Sequence, residues 1–154
     1  MTTTHDLTLV LIAMTASACA PVQRDTFALY DASPEEEAAI QSAADAWCEH
    51  GLCVEITRDP PDATETSTIR MVDDLQAWHA LGLCSHAPDM VSHIAIARTG
   101  QIGTLTPAQI RAVALHEFGH HWGCRDSSDP GTVMAQAELV DDLTPADLAC
   151  AGAQ

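Results

Sequence analysis

"ALHEFGHHWGCRD", Ala114 to Asp126, sets three histidines, one glutamate, two glycines and one aspartate in thirteen residues. A helix advances by about 100° per residue, so side chains four apart stand one turn apart on the same face. His116 and His120 can therefore reach a single ion, with Glu117 beside them. His121 points about 100° away from His120 and reads as a residue of the rim or of the substrate side. Ile110, Ala114, Phe118 and Trp122 follow an i, i+4 course on a different side, which gives the helix an apolar face for a sheet. The same element is then both buried support and metal bed, and the fold must place it centrally.

Gly123 can take a positive φ, ending the helix and turning the chain so that Asp126 swings back towards the ion. Two histidines and a carboxylate leave a fourth zinc position for water, the mark of an open, catalytic site. His-Glu-x-x-His alone would arise by chance in roughly one such chain in fifty, and adding Gly123 and an acid at 126 lowers this to roughly one in several thousand. The extended pattern carries the reading. His116, Glu117, His120, Gly123 and Asp126 resemble the helix motif of the metzincins, His-Glu-x-x-His-x-x-Gly-x-x-His/Asp, and the Asp-ended form is similar to the snapalysin type of small secreted metalloprotease.

The resemblance implies zinc as cofactor, held by His116, His120 and Asp126. It also implies Glu117 as catalytic base towards a zinc-bound water, and Met134 of "SDPGTVMA" in a turn beneath the metal. Rivals for the third ligand are Asp129, disfavoured only by its offset from the glycine, and Glu138, which with Asp142 is similar to the Glu-x-x-x-Asp of thermolysin-like peptidases. The single tyrosine, Tyr30, precedes Met134, so no tyrosine downstream assists an oxyanion as in some metzincin branches.

Outward from the motif, three helix starts are written in one idiom: Ser33-Pro34-Glu35-Glu36, Thr106-Pro107-Ala108-Gln109 and Thr144-Pro145-Ala146-Asp147. Each sets a hydroxyl cap before a proline, which suits the first helical position. The first helix is predicted to run to about His50, with Ala39, Ile40, Ala43, Ala44 and Trp47 at core spacing. "LCVEIT" (52–57), "TIRMV" (68–72) and "HIAIA" (93–97) alternate and are rich in branched residues, so they read as strands. Arg58 to Thr66, with two prolines, reads as a loop, and "DDLQAWHALG" (73–82) as a short helix. The expected architecture is α/β (α+β): a small metzincin-like domain with a twisted mixed sheet packed on helices around a central zinc-binding helix. Residues 33–154 form that domain, 20–32 a tether or an added edge strand, and 1–19 a signal peptide.

The last assignment rests on an apolar run, Leu7 to Met14, too short to span a bilayer and followed by small residues. Ala16-Ser17-Ala18-Cys19 resembles a lipobox, in which Cys19 would carry lipid and attach the chain to a membrane; ordinary cleavage after Ala18 is the alternative. Export to the cell envelope or beyond makes disulfides expected among Cys48, Cys53, Cys84, Cys124 and Cys150, with a local bridge between Cys48 and Cys53 plausible. With 22 Asp and Glu against 6 Lys and Arg the net charge is −16, which repels phosphate backbones, so nucleic acid is not an expected partner. His86, Asp89 and His93 read as surface loop residues in preference to a second metal site.

The expected function is an exported, monomeric zinc metalloendopeptidase acting on peptide or protein substrates, with substrate extended along an edge strand, taken to be "HIAIA". Two alternatives remain: a surface lipoprotein that holds zinc and binds a partner without cleaving it, and a zinc hydrolase of a non-peptide amide bond.

Overall fold

The computed structural model describes residues 23–58, 66–75, 80–85, 91–136 and 138–153. The signal segment and Cys19 lie outside these, as do His86, Asp89, most of the proline loop and the middle of "DDLQAWHALG". The described chain is a mixed α/β structure: strands β1 (Gln23–Tyr30), β2 (Leu52–Thr57), β3 (Ser67–Asp74), β4 (Gly82–Ser85), β5 (His93–Gly100) and β6 (Gly103–Thr104), with helices α1 (Pro34–Cys48), α2 (Pro107–His121) and α3 (Pro145–Cys150). The six-stranded sheet runs β2-β1-β3-β5-β4, with β6 paired to β5. β1 pairs parallel with both β2 and β3, β3 pairs parallel with β5, and β4 closes the sheet antiparallel to β5.

The three helix starts lie where their caps were read. Ser33, Thr106 and Thr144 each accept from the backbone N–H three residues on, and the N3 side chain returns the bond in all three. Ala39, Ile40, Ala43, Ala44 and Trp47 form the buried face of α1, and the Trp47 indole N–H donates to the Leu115 carbonyl at 3.1 Å, tying α1 to α2. α2 is buried along most of its length, from Ile110 to Gly119, because α1 covers one side and the sheet another.

Two strand expectations are corrected. Gln23–Tyr30 is no tether and no edge: β1 lies between β2 and β3, with Phe27 and Ala28 fully buried. Only Phe27, Ala28 and Leu29 are apolar in succession there, and strands flanked on both sides lose the simple alternation that sequence reading relies on. "HIAIA" is not an edge either. β5 is interior, and the edge beside α2 is β4, a four-residue strand too short to stand out in sequence.

Glu36, the N3 residue of α1, also links this helix to the sheet. It accepts from the Arg98 guanidinium of β5 at 2.8 Å. Burial alone would raise its pKa, but the Ser33 N–H and Arg98 outweigh that and hold the carboxyl below its ordinary value. A carboxylate with a lowered folded pKa stabilises above its unfolded value and loses that contribution as pH falls through the folded one. Glu36→Gln is therefore expected to flatten the loss of stability below about pH 4.5, the range set by an ordinary glutamate, as read by urea unfolding at stepped pH.

Candidate metal centre

α2 delivers His116 and His120 to the floor of a cleft of about 610 Å³, with Glu117 between them and Asp126 arriving from the loop beyond the helix. Gly123, at φ +93°, makes the bend that the sequence required of it. His116 Nε2 lies 3.4 Å and His120 Nε2 3.2 Å from the same oxygen, Asp126 Oδ1. These three ligand atoms all fall within 4.8 Å of one another.

Each imidazole is oriented from behind. His116 Nδ1 is 2.8 Å from the Val133 carbonyl and His120 Nδ1 is 2.9 Å from that of Cys124. A carbonyl oxygen only accepts, so Nδ1 carries the hydrogen in both rings and Nε2 offers its lone pair to the cleft. Burial holds the His116 pKa below the ordinary imidazole value, with His120 adding to the effect, and the Val133 carbonyl and Asp126 oppose it only partly. The ring is thus neutral, as a ligand must be. Gln136 donates to Asp126 Oδ2 at 2.8 Å and leaves Oδ1 facing the histidines.

The donor set fits zinc. A tetrahedron with ligand bonds near 2.0–2.2 Å has edges of about 3.3–3.6 Å, and the two histidine-to-aspartate separations of 3.4 and 3.2 Å lie within or close to that range. Glu117 is 3% exposed, and its Oε2 is buried without a hydrogen-bond partner. Burial pushes this carboxyl up to about 8, and Asp126 adds to the rise. A cation between the histidines and Asp126 would offset both effects, since an opposite charge favours the ionised form.

Met134 is 2% exposed and sits against α2 from below. A Cβ on Gly119 would stand 2.3 Å from its Sδ, so a larger residue there would displace the Met134 side chain. The segment from Asp126 to Met134 closes on itself through Ser127 N–H donating to Met134 O at 2.7 Å.

The rival ligands stand elsewhere. Asp129 accepts from the Gly131 N–H within its own turn, and Glu138 lines the cleft but does not join the ligand cluster. Tyr30 lies under the Arg70 guanidinium, 5.1 Å from its ring centre. His93 Nδ1 is 2.8 Å from the Thr68 hydroxyl. His121, expected at the rim, instead faces the sheet: its Nε2 bonds Asp25, its Nδ1 bonds Ser92, and its ring stacks edge-on against Phe27.

Sequence reading missed Gln136, Asp147 and Cys84. Cys84 lines the cleft from β4, and burial pushes its thiol to about 12, with Glu117 contributing. Among the described residues it does not join the ligand cluster. Spacing marks Asp147 only as part of a helix start and does not mark Gln136, because the contact of each with the site crosses a turn whose path only the folded chain defines.

Cys48 pairs with Cys53 and Cys124 with Cys150, and Cys84 is free. Two disulfides belong to an oxidising environment. No helix among the described residues is long and apolar enough to cross a membrane.

No family model matches the chain, and no curated protein matches it in sequence. Among solved structures the chain is similar to the GM1-bound form of the ECX AB5 holotoxin, with a TM-score of 0.52 and 12% identity over 78% of this chain and 69% of that one. That likeness is one of fold alone. High choriolytic enzyme 1, a hatching-enzyme zinc protease of the medaka fish Oryzias latipes, aligns at a TM-score of 0.40 and 15% identity, over 67% of this chain and 44% of that one.

Proposed function

We propose that this chain is an exported zinc-dependent metalloendopeptidase in which His116, His120 and Asp126 hold the ion and Glu117 is the general base. The observation that carries the reading is the pair of 3.4 and 3.2 Å separations onto one Asp126 oxygen, beside a buried glutamate with an unpartnered oxygen. Zinc, when bound, supplies a Lewis acid for the scissile carbonyl and lowers the pKa of water. Glu117 accepts the proton of the attacking water and returns it to the leaving amine.

Substrate lies extended against β4, whose outer edge pairs with no other strand among the described residues, so main-chain hydrogen bonds align the scissile bond over the histidines. Leu83, Ile102 and Leu139 are the exposed large apolar side chains among the described residues, and all three line this cleft. They give apolar substrate side chains a contact surface. Among the described residues no arginine lines the cleft, and Glu138 lines it in addition to the carboxylates at the ion, which disfavours acidic peptides.

The test is metal content together with turnover. The purified chain is expected to carry about one equivalent of zinc and to cleave casein, to lose activity with 1,10-phenanthroline, and to regain it when zinc is restored. Cleavage that persists after the metal is stripped would overturn the reading. Full metal occupancy without turnover of any peptide in a varied library would favour a zinc-holding binding protein instead.

A further inference from the structure

The two histidines are held by carbonyls at two points of the connection between α2 and α3, and α3 grips both points. His116 donates to the Val133 carbonyl, and the Val133 N–H donates in turn to Asp147 Oδ2 at 3.3 Å. His120 donates to the Cys124 carbonyl, and Cys124 is bonded covalently to Cys150. Asp147 and Cys150 stand three residues apart on α3, on adjoining turns of one short helix.

Asp147 is more enclosed than a helix cap requires. It is 1% exposed; Oδ2 accepts from the Thr144 N–H and hydroxyl at 2.9 and 2.6 Å as well as from Val133, and Oδ1 is buried with no partner. The residues in the same capping position of α1 and α2, Glu36 and Gln109, close their boxes without being buried. Burying a carboxyl oxygen without a partner costs stability, so capping alone does not explain the placement. The Val133 peptide does. The bond to Asp147 fixes the backbone at Val133 on its N–H side, and with it the direction of the carbonyl that holds His116 Nδ1–H, and an acceptor fixed behind Nδ1–H orients a ligating imidazole.

Resting on the metal reading above, we propose that α3 positions the metal centre, with Asp147 the positioning residue for His116 and the Cys124–Cys150 bond the tether for His120. Among the described residues no hydrogen bond joins this helix directly to either histidine. The helix acts through one backbone carbonyl for each.

The experiment measures zinc affinity by chelator competition and records the visible spectrum of the cobalt-substituted protein, for the wild type, Asp147→Ala, Asp147→Asn and the double variant Cys124→Ala/Cys150→Ala. Asp147→Ala is expected to weaken zinc binding by about 10–100-fold, the usual effect of losing an outer-shell partner, and to shift the cobalt d–d bands. Asp147→Asn keeps an acceptor oxygen for Val133 and is expected to recover most of the affinity. A purely structural role would lower the unfolding midpoint while leaving the affinity and spectrum of the folded protein unchanged, and that result overturns the inference. Should Asp147→Ala fail to fold, the double cysteine variant decides on the same two readouts. A wild-type chain that takes up neither zinc nor cobalt sinks the metal reading itself, whereas normal uptake with indifferent variants overturns only the role of α3.

Discussion

Glu117→Gln is expected to lower kcat/KM for peptide cleavage by about 10²–10⁴-fold, the range that a positioned general base supplies, while the protein keeps its zinc. The substitution is nearly isosteric, and the space is tight: a Cβ on Gly82 would lie 2.2 Å from Glu117 Oε1, so the side chain has little room to adopt another pose. Glu117 is also outside the ligand cluster, which separates its role from that of the histidines. Loss of turnover with metal retained is the signature of a missing proton acceptor, whereas loss of both would mean that the glutamate holds the ion. The comparison of zinc content and turnover in the same preparation distinguishes the two, and full activity in this variant would remove the proposed mechanism.

The second large effect concerns the fold. Phe27→Ala is expected to destabilise the domain by about 3–5 kcal/mol, the usual cost of emptying a buried aromatic site, out of a total that for a domain of this size is about 5–15 kcal/mol. Phe27 is fully buried and packs edge-on against both Phe118 and His121 of α2, with ring centres 5.9 and 4.9 Å away. It therefore joins the interior strand β1 to the helix that carries the histidines. Urea unfolding of the variant measures the loss, and a change below about 1 kcal/mol, the scale of an ordinary surface substitution, would contradict the placement of β1 inside the sheet. Because the aromatic contact lies on the sheet side of α2, weakened metal binding is expected only as the helix itself loosens.

Much of the helical framework was legible before folding. A hydroxyl followed by proline and a polar third residue encodes a helix start through local hydrogen bonds alone, so all three starts could be read to the residue. Ala39 to Trp47 were legible as core for a similar reason, since the 3.6-residue period needs no knowledge of the partner surface. The spacing of His116 and His120 is likewise a property of the helix, and Gly123 marks its end because few other residues accept that backbone.

What sequence left open depends on neighbours that are distant along the chain. β1 looked like a tether because an interior parallel strand is defined by the two strands that flank it. β4 is short, and its importance comes from its position at the cleft edge. His121 was assigned by angle to the rim, but the angle says only that it leaves the ligand face; Asp25, Phe27 and Ser92 decide that it faces the sheet.

By itself, then, the sequence determined the helix starts, the pairing of two imidazoles on one face, and the bend after them, because these follow from hydrogen bonds and backbone sterics within a few residues. Only the tertiary structure decided that Asp126, and neither Asp129 nor Glu138, meets the histidines, how the cysteines pair, and that Asp147 stands behind Val133. These choices join residues between 5 and 26 apart in the chain, a range over which closure entropy changes too slowly to favour one partner. Packing of the turn beneath α2 makes the selection.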